Sequence, residues 1–184
     1  KEPGNVFAAV ANCLDQLNLS IQDARIYHTK TGFTVDTYYV LDQTGSPIGD
    51  DPERLKRIRQ SLEQELKLLD DYPSVINRRT PRQLKQFSMP TRTMINNDIN
   101  TGYTVLEVVS PDRPGLLARI GRIFINFSIQ LQNAKITTLG ERVEDIFFIT
   151  NSEGNPLSDP NLCKQLQDEI CKQLDQHIEE IKKQ

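Results

Sequence analysis

The run Ser110-Pro111-Asp112-Arg113-Pro114-Gly115-Leu116-Leu117 is the part of this chain best suited to holding a ligand. It joins a β-branched, aromatic stretch, Tyr103 to Val109, to apolar residues at Leu117, Ile120, Ile123, Phe124 and Phe127, whose spacing predicts a helix from Leu116 onward. Glycine at the junction removes a Cβ, so a ligand can approach the backbone closely. Amides from Gly115 through Leu117 then face a carboxylate, with the helix dipole behind them. An ordinary turn into a helix explains Pro114-Gly115 as well, and Asp112 can act as a helix cap.

Other chemistries lack the residues they need. His28 and His177 have no neighbouring aspartate and no partner pattern for a metal or a general base. Three cysteines show no metal spacing and no C-x-x-C pair; Cys163 and Cys171 lie about 12 Å apart along one predicted helix, too far to bridge. We read Cys13, Cys163 and Cys171 as reduced, structural thiols. A net charge of -3 gives no field that would draw nucleic acid or an anionic membrane. No apolar run approaches the ~20 residues of a membrane span, and Lys1-Glu2-Pro3-Gly4 lacks a signal peptide's apolar segment, so a cytoplasmic location is expected.

The elements that must position the loop occur twice. Leu17-Asn18-Leu19-Ser20-Ile21-Gln22-Asp23-Ala24-Arg25-Ile26 returns as Phe127-Ser128-Ile129-Gln130-Leu131-Gln132-Asn133-Ala134-Lys135-Ile136. Upstream, Val6, Phe7, Ala8, Val10, Cys13 and Leu14 match Leu116, Leu117, Ala118, Ile120, Ile123 and Phe124. Downstream, Asp36-Thr37-Tyr38-Tyr39-Val40 matches Asp145-Ile146-Phe147-Phe148-Ile149. Two like modules make a seam, and ligand sites favour seams.

The second copy reads as strand, helix, a hairpin of Ile129 to Leu139 with Val143 to Asn151, and a helix opened by Asp159-Pro160 with Leu162, Leu166, Ile170, Leu174, Ile178 and Ile181 in line. The first copy has its own Asp51-Pro52 start and the stripe Leu55, Ile58, Leu62, Leu66 and Leu69. After a basic, proline-broken segment from Arg78 to Lys85, Gln86 to Ile95 reads as a closing fourth strand. Nothing before the first helix, near Asn5, supplies a first strand, so the chain reads as a fragment of a larger polypeptide. The expected domains are residues 1–97 and 98–184.

This β-α-β-β-α-β order, with the loop quoted above, resembles the ACT domain, a ferredoxin-like regulatory module of amino-acid metabolism. The stretches Asn133 to Asp145 and Arg79-Thr80-Pro81-Arg82-Gln83-Leu84-Lys85-Gln86-Phe87 are similar to the carboxy-terminal tandem ACT region of the PII uridylyltransferase/uridylyl-removing enzyme family. The resemblance implies an α+β fold of two tandem ferredoxin-like ACT domains (βαββαβ), with antiparallel sheets, helices on one face, and the first domain lacking its first strand. It implies a glutamine-sensing module that sets whether the parent adds UMP to the signalling protein PII or removes it. Partners would be glutamine, PII through the parent, the catalytic domains of the same chain, and a second copy in a homodimer. The parent's nucleotidyl transfer implies Mg; no cofactor is expected for this segment. Neither catalytic signature is present, since paired nucleotidyltransferase aspartates and a His-Asp metal dyad are both missing from this sequence.

For an amino-acid ligand, the candidate contacts are Asp112, Arg113, Gly115, Leu116 and Leu117 in the loop, with Asn133, Asp23 and Ala24 on the second strands of the two modules. Polar Asp112, Asn133 and Asp23 would meet an ammonium or a side-chain amide. Ending a strand or pairing a buried amide explains Asn133 and Asp23 equally well. Glu141, Arg142, Glu144 and Asp145 read as a solvated hairpin. Asn5 falls where the second copy has Gly115, so we expect one better site, at the second copy's loop, with the first copy contributing strand residues. Two rivals stand beside this reading. One is a structural ACT platform without a ligand; the other is an RNA-binding module stacking bases on one aromatic each of Tyr38-Tyr39 and Phe147-Phe148, which the charge balance opposes.

Overall fold

A computed structural model describes residues 3–29, 31, 33–68 and 89–182. The basic segment Arg78 to Lys85, the family-like stretch Arg79 to Phe87, Leu69, and residues 86–88 of the expected fourth strand lie outside the described residues. Helix α1 (Pro3–Gln16) is followed by strands β1 (Leu19–His28) and β2 (Thr34–Asp42) and helix α2 (Pro52–Lys67). Then come β3 (Arg92–Asp98), β4 (Tyr103–Pro111), α3 (Leu116–Asn126), β5 (Gln130–Lys135), β6 (Thr138–Leu139), β7 (Arg142–Thr150) and α4 (Pro160–Lys182).

Local chemistry sets these boundaries. Pro52 occupies the first turn of α2, and the Glu53 N–H donates to Asp51 Oδ1 at 3.1 Å. The same device opens α4, where the Asn161 N–H donates to Asp159 Oδ1 at 2.9 Å. Helices α1 and α3 end alike, on Asn18 (φ 58°) and Ser128 (φ 54°), equivalent residues that turn the chain into the next strand.

All strands pair antiparallel in one sheet, in the order β2-β1-β5-β7-β4-β3, with β6 beside β7. The fold is therefore α+β, two ferredoxin-like units fused through a shared sheet. The seam is the pairing of β1 with β5, where Ala24 faces Ala134 and both are fully buried. Strand β3 overlaps the expected run Gln86 to Ile95 only from Arg92 and continues past it to Asp98; it bonds to β4 and so ends the sheet beside the second copy's first strand. At the opposite end, the outer edge of β2 has no partner among the described residues.

The four helices lie in the order α2-α1-α3-α4 across one face. Buried Ile26, Ala24, Ala134, Phe147, Leu106 and Val108 rise from the sheet to meet them. Helix α4 is firmly held because Leu166, Ile170 and Leu174 are fully buried, at roughly 2 kcal/mol each. Helix α2 has no fully buried residue and rests on half-buried Ile58, Leu62 and Leu66. On each copy an aromatic pair joins helix to strand, Phe124 edge-on to Phe147 at 5.5 Å and Phe7 stacked on Tyr38 at 6.5 Å. The neighbouring aromatics Tyr39 and Phe148 take the open face instead, each beneath a cation, Arg25 and Lys135, at 5.9 Å.

Helices α1 and α3 meet across the seam where Gly121 lies against Ala8. A Cβ added to Gly121 would come within 3.0 Å of Ala8 Cβ and Phe7 Cδ1 and 3.1 Å of Ala8 Cα. Backbone cannot rotate away as a side chain can. Gly121→Val is expected to force α1 and α3 apart and destabilise the fold by about 1–3 kcal/mol, read as a lowered urea midpoint; an unchanged midpoint would contradict this packing.

Candidate functional site

The loop after β4 is built around one left-handed residue. Gly115 has φ 77°, which a β-branched side chain would resist, and its carbonyl accepts the Arg119 N–H at 3.0 Å to start α3. The Asp112 N–H donates to the Glu141 carbonyl at 2.9 Å, tying the loop to the β6–β7 hairpin. Arg113 turns inward. Its Nη2 donates to Ser110 Oγ at 3.2 Å, Ser110 Oγ lies 3.2 Å from Thr91 Oγ, and the Asp175 carboxylate on α4 contributes an attractive field. Burial, and after it the like charge of Arg119, lowers the Arg113 guanidinium to about 10. The residue thus anchors the loop to the end of the sheet.

Facing the loop across the seam is the first repeat. Together they enclose an open cleft of ≈ 740 Å³. The first repeat supplies Ala11 and Asp15 from α1, Asn18, the start of β1 from Leu19 to Gln22, and the end of β2. The second supplies Asp112 through Ala118, then Ile136, Thr138, Gly140, Glu141, Val143 and Asp145. The expected long strand Ile129 to Leu139 is broken here. Past Lys135 the Ile136 N–H crosses the seam to the Gln22 carbonyl at 2.9 Å, and the chain then re-pairs with β7 as β6. That change of partner opens the cleft.

Of the candidate contacts, Asp112, Arg113, Gly115, Leu116 and Leu117 line this cleft, whereas Asp23, Ala24 and Asn133 do not. A register shift explains the difference. Both second strands carry a bulge, between Ile21 and Asp23 and between Leu131 and Asn133. The extra residue puts Ala24 and Ala134 on the helix face and turns Asp23 and Asn133 toward the open face, beside Arg25 and Lys135. The strand residues that do reach the cleft are those just before the first bulge, Ser20 and Gln22 among them.

One cleft residue was hidden in a charged run. Arg142 and Glu144 form an exposed ion pair, as a solvated hairpin would, but Asp145 is only 1% exposed. The alternation Val143, Asp145, Phe147, Ile149 on β7 places its carboxyl on the core face, a signal available in the sequence. Asp145 Oδ1 accepts the Thr137 N–H at 3.3 Å, while Oδ2 is buried with no hydrogen-bond partner among the described residues.

Burial pushes the Asp145 carboxyl up to about 7, against the Thr137 hydrogen bond and helped by the negative Asp112. Desolvation also raises Asp112. Because folded Asp145 holds its proton more tightly than the unfolded chain, its contribution is stabilising at low pH and is lost as pH rises through about 7. Thermal denaturation should therefore show the melting temperature falling from pH 5 to pH 8. Asp145→Asn should flatten that slope and melt higher than the native protein at pH 8; a lower melting point at pH 8 would contradict the burial argument.

No protein-family model matches the chain, and no solved structure matches it significantly. Curated proteins do. The chain is 58% identical over 168 residues to the bifunctional uridylyltransferase/uridylyl-removing enzymes of Pseudomonas savastanoi pv. phaseolicola (strain 1448A / Race 6) and Pseudomonas syringae pv. syringae (strain B728a), and 56% identical to that of Pseudomonas putida (strain W619). Each match covers 91% of this chain and 19% of the relative, so the chain spans about a fifth of the length of the relatives it matches. At that identity the chain is homologous to a segment of the bifunctional uridylyltransferase/uridylyl-removing enzymes, the family its sequence resembles.

Proposed function

We propose that this chain is the amino-acid-sensing tandem ACT module of a uridylyltransferase/uridylyl-removing enzyme, with glutamine bound in the cleft between the repeats. The observation that carries this reading is the juxtaposition of the Gly115 loop with the start of β1 across the seam. In one cleft it brings together a helix start that suits a carboxylate and polar groups of the other repeat. The Leu116 N–H donates to the Arg113 carbonyl at 3.4 Å; the Leu117 and Ala118 amides precede the first i→i−4 acceptor and so lack intrahelical partners, as at any helix start.

Glutamine held by both repeats would favour one arrangement of the pair over another. A tenfold shift between two states of the parent takes about 1.4 kcal/mol of differential affinity. Through that shift the module would set whether the parent uridylylates or deuridylylates PII, and the chemistry would belong to catalytic domains elsewhere in the same polypeptide. A second reading, a platform for dimerisation or domain packing, draws support from the open sheet face, where Tyr27, Val35 and Tyr39 are more than half exposed.

Calorimetric titration separates the two. Glutamine is expected to bind, glutamate, asparagine and serine to bind more weakly, and Gly115→Val to weaken glutamine by at least tenfold through strain at a left-handed φ. No heat and no thermal stabilisation with any of the four would favour the platform.

A further inference from the structure

The geometry points to Asp145 as the group that holds the ligand's ammonium, which makes the cleft selective for α-amino acids over the corresponding deaminated acids. This rests on the amino-acid reading above and assigns half of its recognition to one residue. Three observations support it. Asp145 lines the cleft, is almost wholly buried, and has one oxygen already taken by the Thr137 N–H and the other without a partner among the described residues. A buried carboxylate left unpaired is costly, and native structures keep such groups where a partner arrives. Asp112 lines the same cleft and adds negative charge, which suits a cationic partner, while the buried Arg113 Nε and Nη1, without partners among the described residues, suit the ligand's other, anionic end.

The equivalent position in the first repeat carries a carboxyl too, away from the cleft. Asp36 also faces the helix side, also keeps a buried oxygen without a partner among the described residues, and accepts the Tyr38 hydroxyl on the other at 3.4 Å. A carboxyl therefore recurs at one register position in both modules, but only Asp145 borders the cleft. A metal ion is the less suitable cation, because no group of three His, Cys, Asp or Glu side chains is placed for one among the described residues. A primary ammonium needs only hydrogen-bond acceptors. With its carboxylate at the Gly115 loop and its ammonium at Asp145, an α-amino acid would be held at both charged ends.

The test compares glutamine with glutaramic acid, which keeps the carboxylate and the side-chain amide but lacks the amino group. Binding of each is measured by calorimetry to the native chain and to Asp145→Asn, with circular dichroism and melting temperature recorded in parallel. The native chain should prefer glutamine by tenfold or more. Asp145→Asn should bind the two equally and weakly while melting no lower at pH 8, a combination that a merely structural role would not produce. Equal binding of both compounds by the native chain would overturn the assignment without recourse to a variant. So would an Asn variant with native glutamine affinity and preference. If the native chain binds neither compound, the glutamine reading fails first and this inference with it.

Discussion

The structure depends on one contact, the antiparallel meeting of β1 and β5 at Ala24 and Ala134. Both are alanines and both are fully buried, so the sheet runs through from one repeat to the other without a bulky side chain lifting the helices away. Above that point α1 and α3 approach closely enough that Gly121 has no room for a Cβ. Sheet below and helices above thus fuse the two copies around one line. Because the strands run antiparallel, the start of β1 lies beside the end of β5. The loop of the second repeat then faces residues of the first, and neither repeat alone would form the cleft.

Within that frame the cleft carries an opposed pair of tendencies. Gly115, in a left-handed conformation, and the first turn of α3 favour an anion. Asp145 and Asp112, both desolvated, disfavour their own charges and would be relieved by a cation. Burying a carboxyl with one oxygen unpartnered among the described residues costs desolvation that a hydrophobic residue at this core-facing position of β7 would avoid. Stability held back at a site in this way is a common feature of binding sites. Arg113 contributes differently, reaching inward to Ser110 to hold the loop in place.

Much of this was legible in the residues. The duplication predicted two like units, the Asp-Pro starts of α2 and α4 fell where they were read, and the helix after Gly115 began at Leu116. Less legible were features that depend on pairing. A bulge in each second strand shifts the alternation by one, and no residue type marks it, so Asn133 and Asp23 lie on the open face and Ser20 and Gln22 face the cleft. A strand was expected at Gln86 to Ile95, but β3 runs from Arg92 to Asp98, and its partner, β4, is set by a tight hairpin. Asp145 was readable by alternation, yet charged neighbours on both sides disguised it as surface. Its repeat counterpart, Asp36, sits at the same phase of its own strand.

Amide hydrogen exchange with and without saturating glutamine reads whether a ligand bridges the seam. Slowed exchange is expected together at residues 112–118 and at residues 18–22, from the two sides of one cleft, with the outer edge of β2 unchanged. Protection confined to the β2 edge or the open face, or no protection anywhere, would contradict it.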